Sequence, residues 1–364
     1  FCISFLPHRH MARIVSMGGL SRVAASTHVP FTVSHIANRS PSLRSHHPLR
    51  GLTAASPRSM SSSLPSGSLP TDMNGKVAFV AGVGDTSGYG WAVARQLSDA
   101  GCKVLVGVWP PVISLLQRAI KRVGKGEEGV VSGVYPLDVD FSTADEVPED
   151  VRKNRRYADL QFFDVQSVAA AVVKEHGKVD VLVHAVANGP EVSRPLLETS
   201  RRGYLSASSS SAYSFVSLLQ HFGPSMPPGS SALTLSYAAA TAAVPGYGGG
   251  MSSAKAQLES DVRTLAWEAG RKWGVRVNAI SAGPLKTRAA SAIAGEGGGV
   301  SFIEKAVNYS AANSPLARSV SPSDVGGAAL ALSSPLCAAV TGEVLRVDCG
   351  LHAVGMASDS SSLD

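Results

Sequence analysis

Tyr247 and Lys255 carry side chains that could act on a substrate, and their spacing is unusual. They flank the stretch PGYGGGMSSAK (245–255), with Gly248, Gly249 and Gly250 between them. A phenol O–H can stabilise an oxygen on which negative charge develops, and a nearby ammonium favours the anionic form of a tyrosine. On a continuous helix, eight residues turn about 80° past two full turns, so the two side chains would diverge. Three glycines disfavour that helix. They predict Tyr247 in a loop ahead of a helix starting near Ser252, with Lys255 in its first turns pointing back toward the same site. A second tyrosine, Tyr237, closes the strand-like run SALTLSY (231–237).

Such a site needs elements to hold it. From Gly75 onward, short apolar runs recur: 76–82, 103–109, 130–139, 179–187, 231–237, 275–283 and 343–350. Helical patterns lie between most of them, over 91–101, 166–176, 203–222, 252–272 and 322–332. Continuous apolar strands alternating with helices predict a parallel sheet covered on both faces. The expected fold is α/β, a single doubly wound Rossmann domain over residues 71–364, with no internal repeat and no second domain. Two segments break the rhythm. Residues 140–163 are charged and irregular, and 284–314 contain the glycine-rich AGEGGGVS. In such sheets ligands bind beyond the carboxyl ends of the strands, so the 284–314 insertion reads either as a substrate lid or as a tolerated surface loop.

AGVGDTSGYGW (81–91) joins the first strand to the first helix. Glycines there let backbone N–H groups approach a pyrophosphate, helped by the positive end of the helix. The spacing is not a clean GxGxxG: Gly82 and Gly84 are followed by Ser87, then Gly88 and Gly90. The second strand ends at Trp109, where a dinucleotide site carries an acid for the ribose or an arginine for a 2′-phosphate. Neither is present, and no 2′-phosphate clamp is evident, so NAD(H) is the expected cofactor. Trp109 is placed to stack on adenine or to serve as a core aromatic. Asp138 is placed to accept a hydrogen bond from the adenine amine or to cap a loop.

The 364 residues, 44% of them hydrophobic, suffice for a large core. The net charge of +6 is unevenly spread. Residues 1–70 hold seven arginines, no lysine and no acid, which leaves 26 basic against 27 acidic residues, a net of −1, in 71–364. A broad nucleic-acid footprint on the folded part is therefore not expected. An Arg- and Ser-rich, acid-free segment predicts a disordered organelle-targeting leader over 1–70. The chain opens on Phe1 rather than Met, and FCISFL reads as the remnant of a signal sequence. No apolar run reaches about 18 residues, so no membrane span is predicted. The cysteines at 2, 102, 337 and 349 form no CxxC pair, and the last three read as buried free thiols, with no metal site expected.

A tyrosine and a lysine in a nicotinamide-binding fold suggest short-chain dehydrogenase/reductase chemistry. That family's usual pair is Tyr-x-x-x-Lys, one helical turn apart, yet no tyrosine here has a lysine four positions later. The stretches KVAFVAGVGDTSGYGWAVA, VLVHAVANGPEVSRPLLETSRRGYL, PGYGGGMSSAKAQLESD and RVNAISAGPLKTRAA instead resemble the enoyl-acyl carrier protein reductases of type II fatty acid synthesis, in their plant and apicomplexan plastid branch. The resemblance runs from about residue 74 to the C-terminus.

The resemblance implies NADH as cofactor, and reduction of the trans-2 double bond of enoyl thioesters borne by acyl carrier protein. It assigns Tyr247 to the thioester carbonyl, Lys255 to the nicotinamide ribose hydroxyls, and Tyr237 to the substrate pocket with a part in proton transfer. Gly82, Gly88 and Tyr89 match its phosphate-loop positions, and Trp109 and Asp138 its adenosine end. Val186 matches a cofactor contact and Gly189 a neighbouring substrate contact. Leu285 to Ala289 match the segment along the nicotinamide and pyrophosphate, with Thr287 as the phosphate hydroxyl. The Cα proton comes from Tyr247 or through a water relay. A homotetramer, inhibition by diphenyl ethers such as triclosan, and a plastid destination (apicoplast or chloroplast stroma) are implied in the same way. Arg201, Arg202, Lys286, Arg288 and Arg318 are candidates for a basic rim facing the acidic carrier protein.

Two features depart from the pattern. Ala185 stands where plant relatives usually carry Ser, and the 291–301 loop is longer than in plant or bacterial relatives, resembling the apicomplexan enzymes. Two other readings compete: a 3-oxoacyl thioester reductase, disfavoured by the missing Tyr-x-x-x-Lys, and a non-catalytic NAD(H)-binding sensor, which would need neither Tyr237, Tyr247 nor Lys255.

Overall fold

The computed structural model describes residues 2–3, 71–124, 127, 129–287 and 301–359. The expected leader therefore lies outside the described residues, save a two-residue strand, Cys2–Ile3, that pairs in parallel with Val186–Ala187. The glycine-rich part of the 284–314 insertion, 288–300, lies outside them as well.

Seven strands make one sheet: β1 (Val77–Ala81), β2 (Lys103–Val108), β3 (Gly133–Pro136), β4 (Val181–His184), β5 (Ser231–Ser236), β6 (Arg276–Ala282) and β7 (Val344–Val347). Their order is β3-β2-β1-β4-β5-β6-β7, and every pairing is parallel. β1, β4, β5 and β6 are buried along their whole length, because apolar side chains on both of their faces meet helices. The order reverses between β1 and β4, which makes the crevice beyond their carboxyl ends the binding position of the sheet.

The helices are α1 (Tyr89–Asp99), α2 (Ile113–Val123), α3 (Val165–His176), α4 (Arg201–Ser208), α5 (Ser214–Phe222), α6 (Met251–Trp273), α7 (Phe302–Asn313) and α8 (Pro322–Ser333). On one face Phe79, Leu105 and Leu182 pack against Val168 and Val172 of α3, Phe215 and Leu218 of α5, and Leu258 and Val262 of α6. On the other, Val80, Val106, Val183 and Ile280 meet Val93 and Leu97 of α1 and Val325 and Leu332 of α8. α1 and α8 approach so closely that a Cβ on Gly326 would lie 2.7 Å from the Ala92 carbonyl oxygen.

The seven expected strands are present, with shorter bounds. β2 ends at Val108, so Trp109 opens a turn instead of closing the strand, and the run 130–139 yields only Gly133–Pro136. Three helices were not anticipated: α2, α7 and the single turn Glu149–Arg152. The expected single helix over 203–222 is divided. Ser209–Tyr213 form a π turn between α4 and α5, where the Ser214 hydroxyl donates to the Ser210 carbonyl at 2.8 Å within the backbone ladder. The cysteine expectation is corrected too: Cys102 is buried, but Cys337 and Cys349 are half-exposed, near the C-terminal edge of the sheet where less chain covers them. Among the described residues no helix is long and apolar enough to cross a membrane, and no group of His, Cys, Asp or Glu could hold a metal ion.

Candidate active site and cofactor cradle

The three glycines between Tyr247 and Lys255 are explained by what lies against them. The Gly248 N–H donates to the Val192 carbonyl and the Gly249 N–H to the Arg194 carbonyl, both at 2.9 Å. The loop carrying Tyr247 thus lies backbone to backbone on the turn that follows β4. A Cβ on Gly248 would sit 1.8 Å from the Arg194 oxygen, and one on Gly249 would sit 2.2 Å from the Glu191 oxygen. Gly250 caps α6 at φ +80°, a left-handed conformation that favours glycine. The turn itself is anchored by the Glu191 carboxylate, which accepts from the Ser200 N–H at 2.8 Å and the Ser200 hydroxyl at 2.7 Å.

The two tyrosines meet beside this loop. Their ring centroids lie 5.1 Å apart, edge to face, and Phe302 of α7 lies 6.2 Å from Tyr247. Ala187, Val192, Ala207, Ala239 and Met251 complete an apolar cluster separate from the main core. Burial pushes the Tyr237 hydroxyl up to about 12 and the Tyr247 hydroxyl higher still, so both phenols are protonated at neutral pH. Gly189 borders this cluster, and a Cβ there would meet Met251 at 2.5 Å. Its neighbour is held by Ser211 in the π turn, whose hydroxyl accepts from the Asn188 N–H at 2.9 Å and donates to the Asn188 carbonyl at 2.8 Å.

Lys255 is fully buried on the inner face of α6. Its ammonium donates to the Leu235 carbonyl at 2.9 Å. Burial depresses it to about 7, opposed by the carboxylate of Glu259 one turn later. Glu259 in turn accepts from the Ser236 hydroxyl at 2.6 Å. Lys255 and Glu259 therefore both reach the end of β5, next to Tyr237. Glu259 was readable as the fourth residue after the lysine in KAQLE, and sequence reading passed over it.

The cofactor positions gather at the crevice between β1 and β4. Gly82 has φ +95°, and its absent Cβ would lie 2.6 Å from the Ala185 carbonyl oxygen and 2.8 Å from a Val186 methyl. Only glycine lets the β1–α1 loop pass so close. The Asp85 carboxylate orders that loop by accepting from the N–H groups of Ser87 and Gly88, each at 2.8 Å. Gly88 is the N-cap of α1, so the first N–H groups of the helix face the crevice unbonded within the helix. Tyr89 is buried, and its hydroxyl donates to the Gly283 carbonyl at 2.8 Å, tying this loop to the end of β6. Its phenol is thus structural, and only its backbone is available to a phosphate.

At the adenosine end, the Trp109 indole N–H donates to Asp138 at 3.2 Å. Burial, then the charge of Asp140, pushes the Asp138 carboxyl up to about 6. Tyr157 also donates to Asp138, at 2.7 Å; nothing in the sequence pattern pointed to it. Leu285 is half-buried and Thr287 buried, while Ala289 lies outside the described residues. A glycine-lined close approach, a helix N-terminus and a buried acceptor at the far end together fit a dinucleotide.

The basic-rim candidates divide. Lys286 pairs with Glu304, and Arg318 forks onto Asp324 at 2.6 and 3.1 Å, so both are engaged within the chain. Arg201 and Arg202 are exposed at the start of α4, and Arg288 lies outside the described residues.

Comparison with known proteins gives one consistent answer. Residues 142–352 match the family model described as enoyl-(acyl carrier protein) reductase. The rice chloroplastic enoyl-[acyl-carrier-protein] reductase [NADH] 1 is 50% identical over 315 residues, covering 84% of this chain and 82% of its own. The crystal structure of the Plasmodium berghei enoyl-acyl-carrier-protein reductase with triclosan is 45% identical, with a TM-score of 0.74, and covers 78% of this chain and 100% of that one. The Anaplasma phagocytophilum enzyme in complex with NAD is 31% identical, with a TM-score of 0.64, over 79% of this chain and 96% of that one.

Proposed function

The chain belongs to the enoyl-(acyl carrier protein) reductase family, and from that premise we infer how its residues divide the work. It is an NADH-dependent enoyl-[acyl-carrier-protein] reductase. It saturates the trans-2 double bond of enoyl thioesters, the last reductive step of an elongation cycle of type II fatty acid synthesis. The observation that carries the division of roles is the pairing of Tyr237 and Tyr247 above a buried lysine, set by the glycine-laid loop.

Bound NADH supplies the hydride that adds to Cβ of the thioester. Negative charge then develops on the carbonyl oxygen, and the Tyr247 hydroxyl, protonated and fixed in an apolar wall, donates to it. A donor already aimed costs no reorganisation as charge appears. Tyr237 stacks on the Tyr247 ring edge and lines the acyl pocket with Gly189. Lys255 holds the nicotinamide ribose hydroxyls, and Glu259 keeps that ammonium charged. Gly82, Gly88 and the Tyr89 backbone hold the pyrophosphate, joined by Thr287. Val186 and Leu285 flank the nicotinamide, and Trp109 and Asp138 take the adenosine. Enolate protonation at Cα completes the reaction.

The roles are tested by following NADH absorbance with the purified full chain. A trans-2-enoyl thioester is expected to be reduced and a 3-oxoacyl thioester left untouched. Tyr247→Phe should lower kcat by about 100-fold while leaving NADH binding intact. Turnover of the 3-oxoacyl substrate would remove the assignment, and an unimpaired Tyr247→Phe would remove Tyr247 from the reaction.

Acyl carrier protein is the partner, and we place its contact at Arg201 and Arg202, the basic-rim residues left exposed beside the pocket. The chain assembles as a homotetramer, which predicts a light-scattering mass near four chains. The acid-free leader and the chloroplastic name of the rice relative support a plastid destination. The long 291–301 loop favours an apicoplast over a chloroplast.

A further inference from the structure

Residues 140–163 leave the sheet after Asp138 and return beside it. The Asp138 N–H donates to the Phe163 carbonyl at 2.7 Å, the Val165 N–H to Phe141 at 3.0 Å, and the Gln166 N–H to Ser142 at 2.9 Å. The lobe is thus pinned at both ends. It has its own apolar centre, in which Val147, Tyr157 and Phe163 are buried with Phe141, Val151 and Leu160 against them. Tyr157 and Phe163 stack edge to face at 4.8 Å.

The lobe then makes two contacts that a surface insertion has no need of. The Tyr157 hydroxyl reaches back out of that centre to donate to Oδ2 of Asp138 at 2.7 Å, the same oxygen that accepts from Trp109. Arg156 donates to the Pro111 carbonyl at 2.6 Å, gripping the turn that Trp109 opens. One segment therefore holds the Asp138 side chain and the backbone turn that begins at Trp109. With Oδ2 accepting twice, the carboxylate cannot rotate. Its other oxygen, Oδ1, accepts only weakly from the Asp140 N–H at 3.2 Å and retains a lone pair.

We propose that the 140–163 lobe is part of the cofactor site, with Tyr157 a positioning residue that fixes Asp138 so that Oδ1 receives the exocyclic amine of adenine. This rests on the assignment of Trp109 and Asp138 to the adenosine end. The amine-selective half of cofactor recognition then depends on a residue nineteen positions beyond the acceptor.

The test compares NADH with reduced nicotinamide hypoxanthine dinucleotide, in which an oxygen replaces that amine, using the full chain and a fixed enoyl thioester. The unaltered protein should show a KM for NADH about tenfold below that for the analogue, with similar kcat. Tyr157→Phe should raise the KM for NADH about fivefold, leave kcat within about twofold, and leave the analogue's KM unchanged. A purely structural role for Tyr157 would move both cofactors equally, and that result overturns the proposal, as does no change in either. If the unaltered protein fails to distinguish the two cofactors, the adenine role of Asp138 falls and the proposal with it, while the reductase assignment stands. Should Tyr157→Phe not fold, Arg156→Gln decides. It frees the lobe from the Pro111 turn without touching the apolar centre. A narrowed preference for NADH upholds the proposal, and an unchanged preference overturns it.

Discussion

Lys255 is a cation placed where water cannot reach, and its charge is therefore conditional. Burial brings it down to about 7 against an ordinary value of 10.5, with Glu259 holding it up. His184 faces it from β4 as a neutral imidazole, and Tyr237 and Tyr247 are protonated phenols. Below about pH 7 the free enzyme carries the ammonium, and as pH rises through that value the ammonium is lost. NADH affinity should therefore fall between pH 7 and 8.5. Glu259→Gln should move the fall to lower pH, because it removes the charge that opposes discharge. Titrating nucleotide fluorescence at a series of pH values checks this, and a flat profile from 6 to 8.5 would contradict it. His184 gives the opposite limb. It is fully buried between Thr234 at 2.7 Å and Ser214 at 2.8 Å, and burial lowers it to about 3. A group with a depressed folded value contributes stability above its unfolded value, here 6.5, and loses it as pH falls toward the folded value. The thermal midpoint should drop progressively between pH 6.5 and 4.

At the scale of elements, the loop 245–250 decides where Tyr247 stands. Gly248→Ala should lower kcat/KM by about 100-fold and reduce the thermal midpoint, because its Cβ cannot coexist with the Arg194 carbonyl and the loop must lift. Enoyl-thioester kinetics beside a melting curve would show it, and a silent variant would mean that the loop tolerates displacement. The loop and helix start were legible in the sequence, because a glycine run beside a helix pattern has few solutions. What the glycines lie against was not, since the 191–194 turn is some fifty residues away and contributes only backbone. The π turn was equally hidden. Four serines in 208–211 read as polar helix, and only the tertiary packing gives their hydroxyls partners, Gln257 for Ser208, Asp140 for Ser210 and the Asn188 backbone for Ser211. α2 follows two prolines and buries only Leu116 completely, so its pattern carried little core signal. α7 was announced by Ser301 and Glu304, a capping box that the neighbouring glycine run obscured.

Across the whole molecule, the sheet was legible because apolar runs such as VAFVA and VLV alternate with helical patterns, as in a doubly covered parallel sheet. The placement of Tyr247 in a loop ahead of the helix that carries Lys255 followed from the glycine spacing, whereas the roles proposed for the two residues came from the family resemblance. Trp109 and Asp138 were legible as neighbours at the strand ends, but the Tyr157 hydroxyl on Asp138 was not, because it comes from an irregular segment nineteen residues further on. Leu205, Tyr213 and Trp267 lie exposed. Those side chains should become protected from solvent in the proposed tetramer, and fluorescence quenching of Trp267 by acrylamide should rise on dilution to monomers.

The tie between the 191–194 turn and Gly248–Gly249 runs from main chain to main chain. Such a tie is indifferent to side-chain identity. Exchange of the Val192 or Arg194 side chain therefore leaves the hydrogen bonds of this joint in place, whereas any Cβ on Gly248 or Gly249 breaks it and carries Tyr247 with it. Phe302 packs on the same loop, its ring 2.6 Å from where a Cβ on Gly246 would stand, so an exchange there also bears on the position of Tyr247.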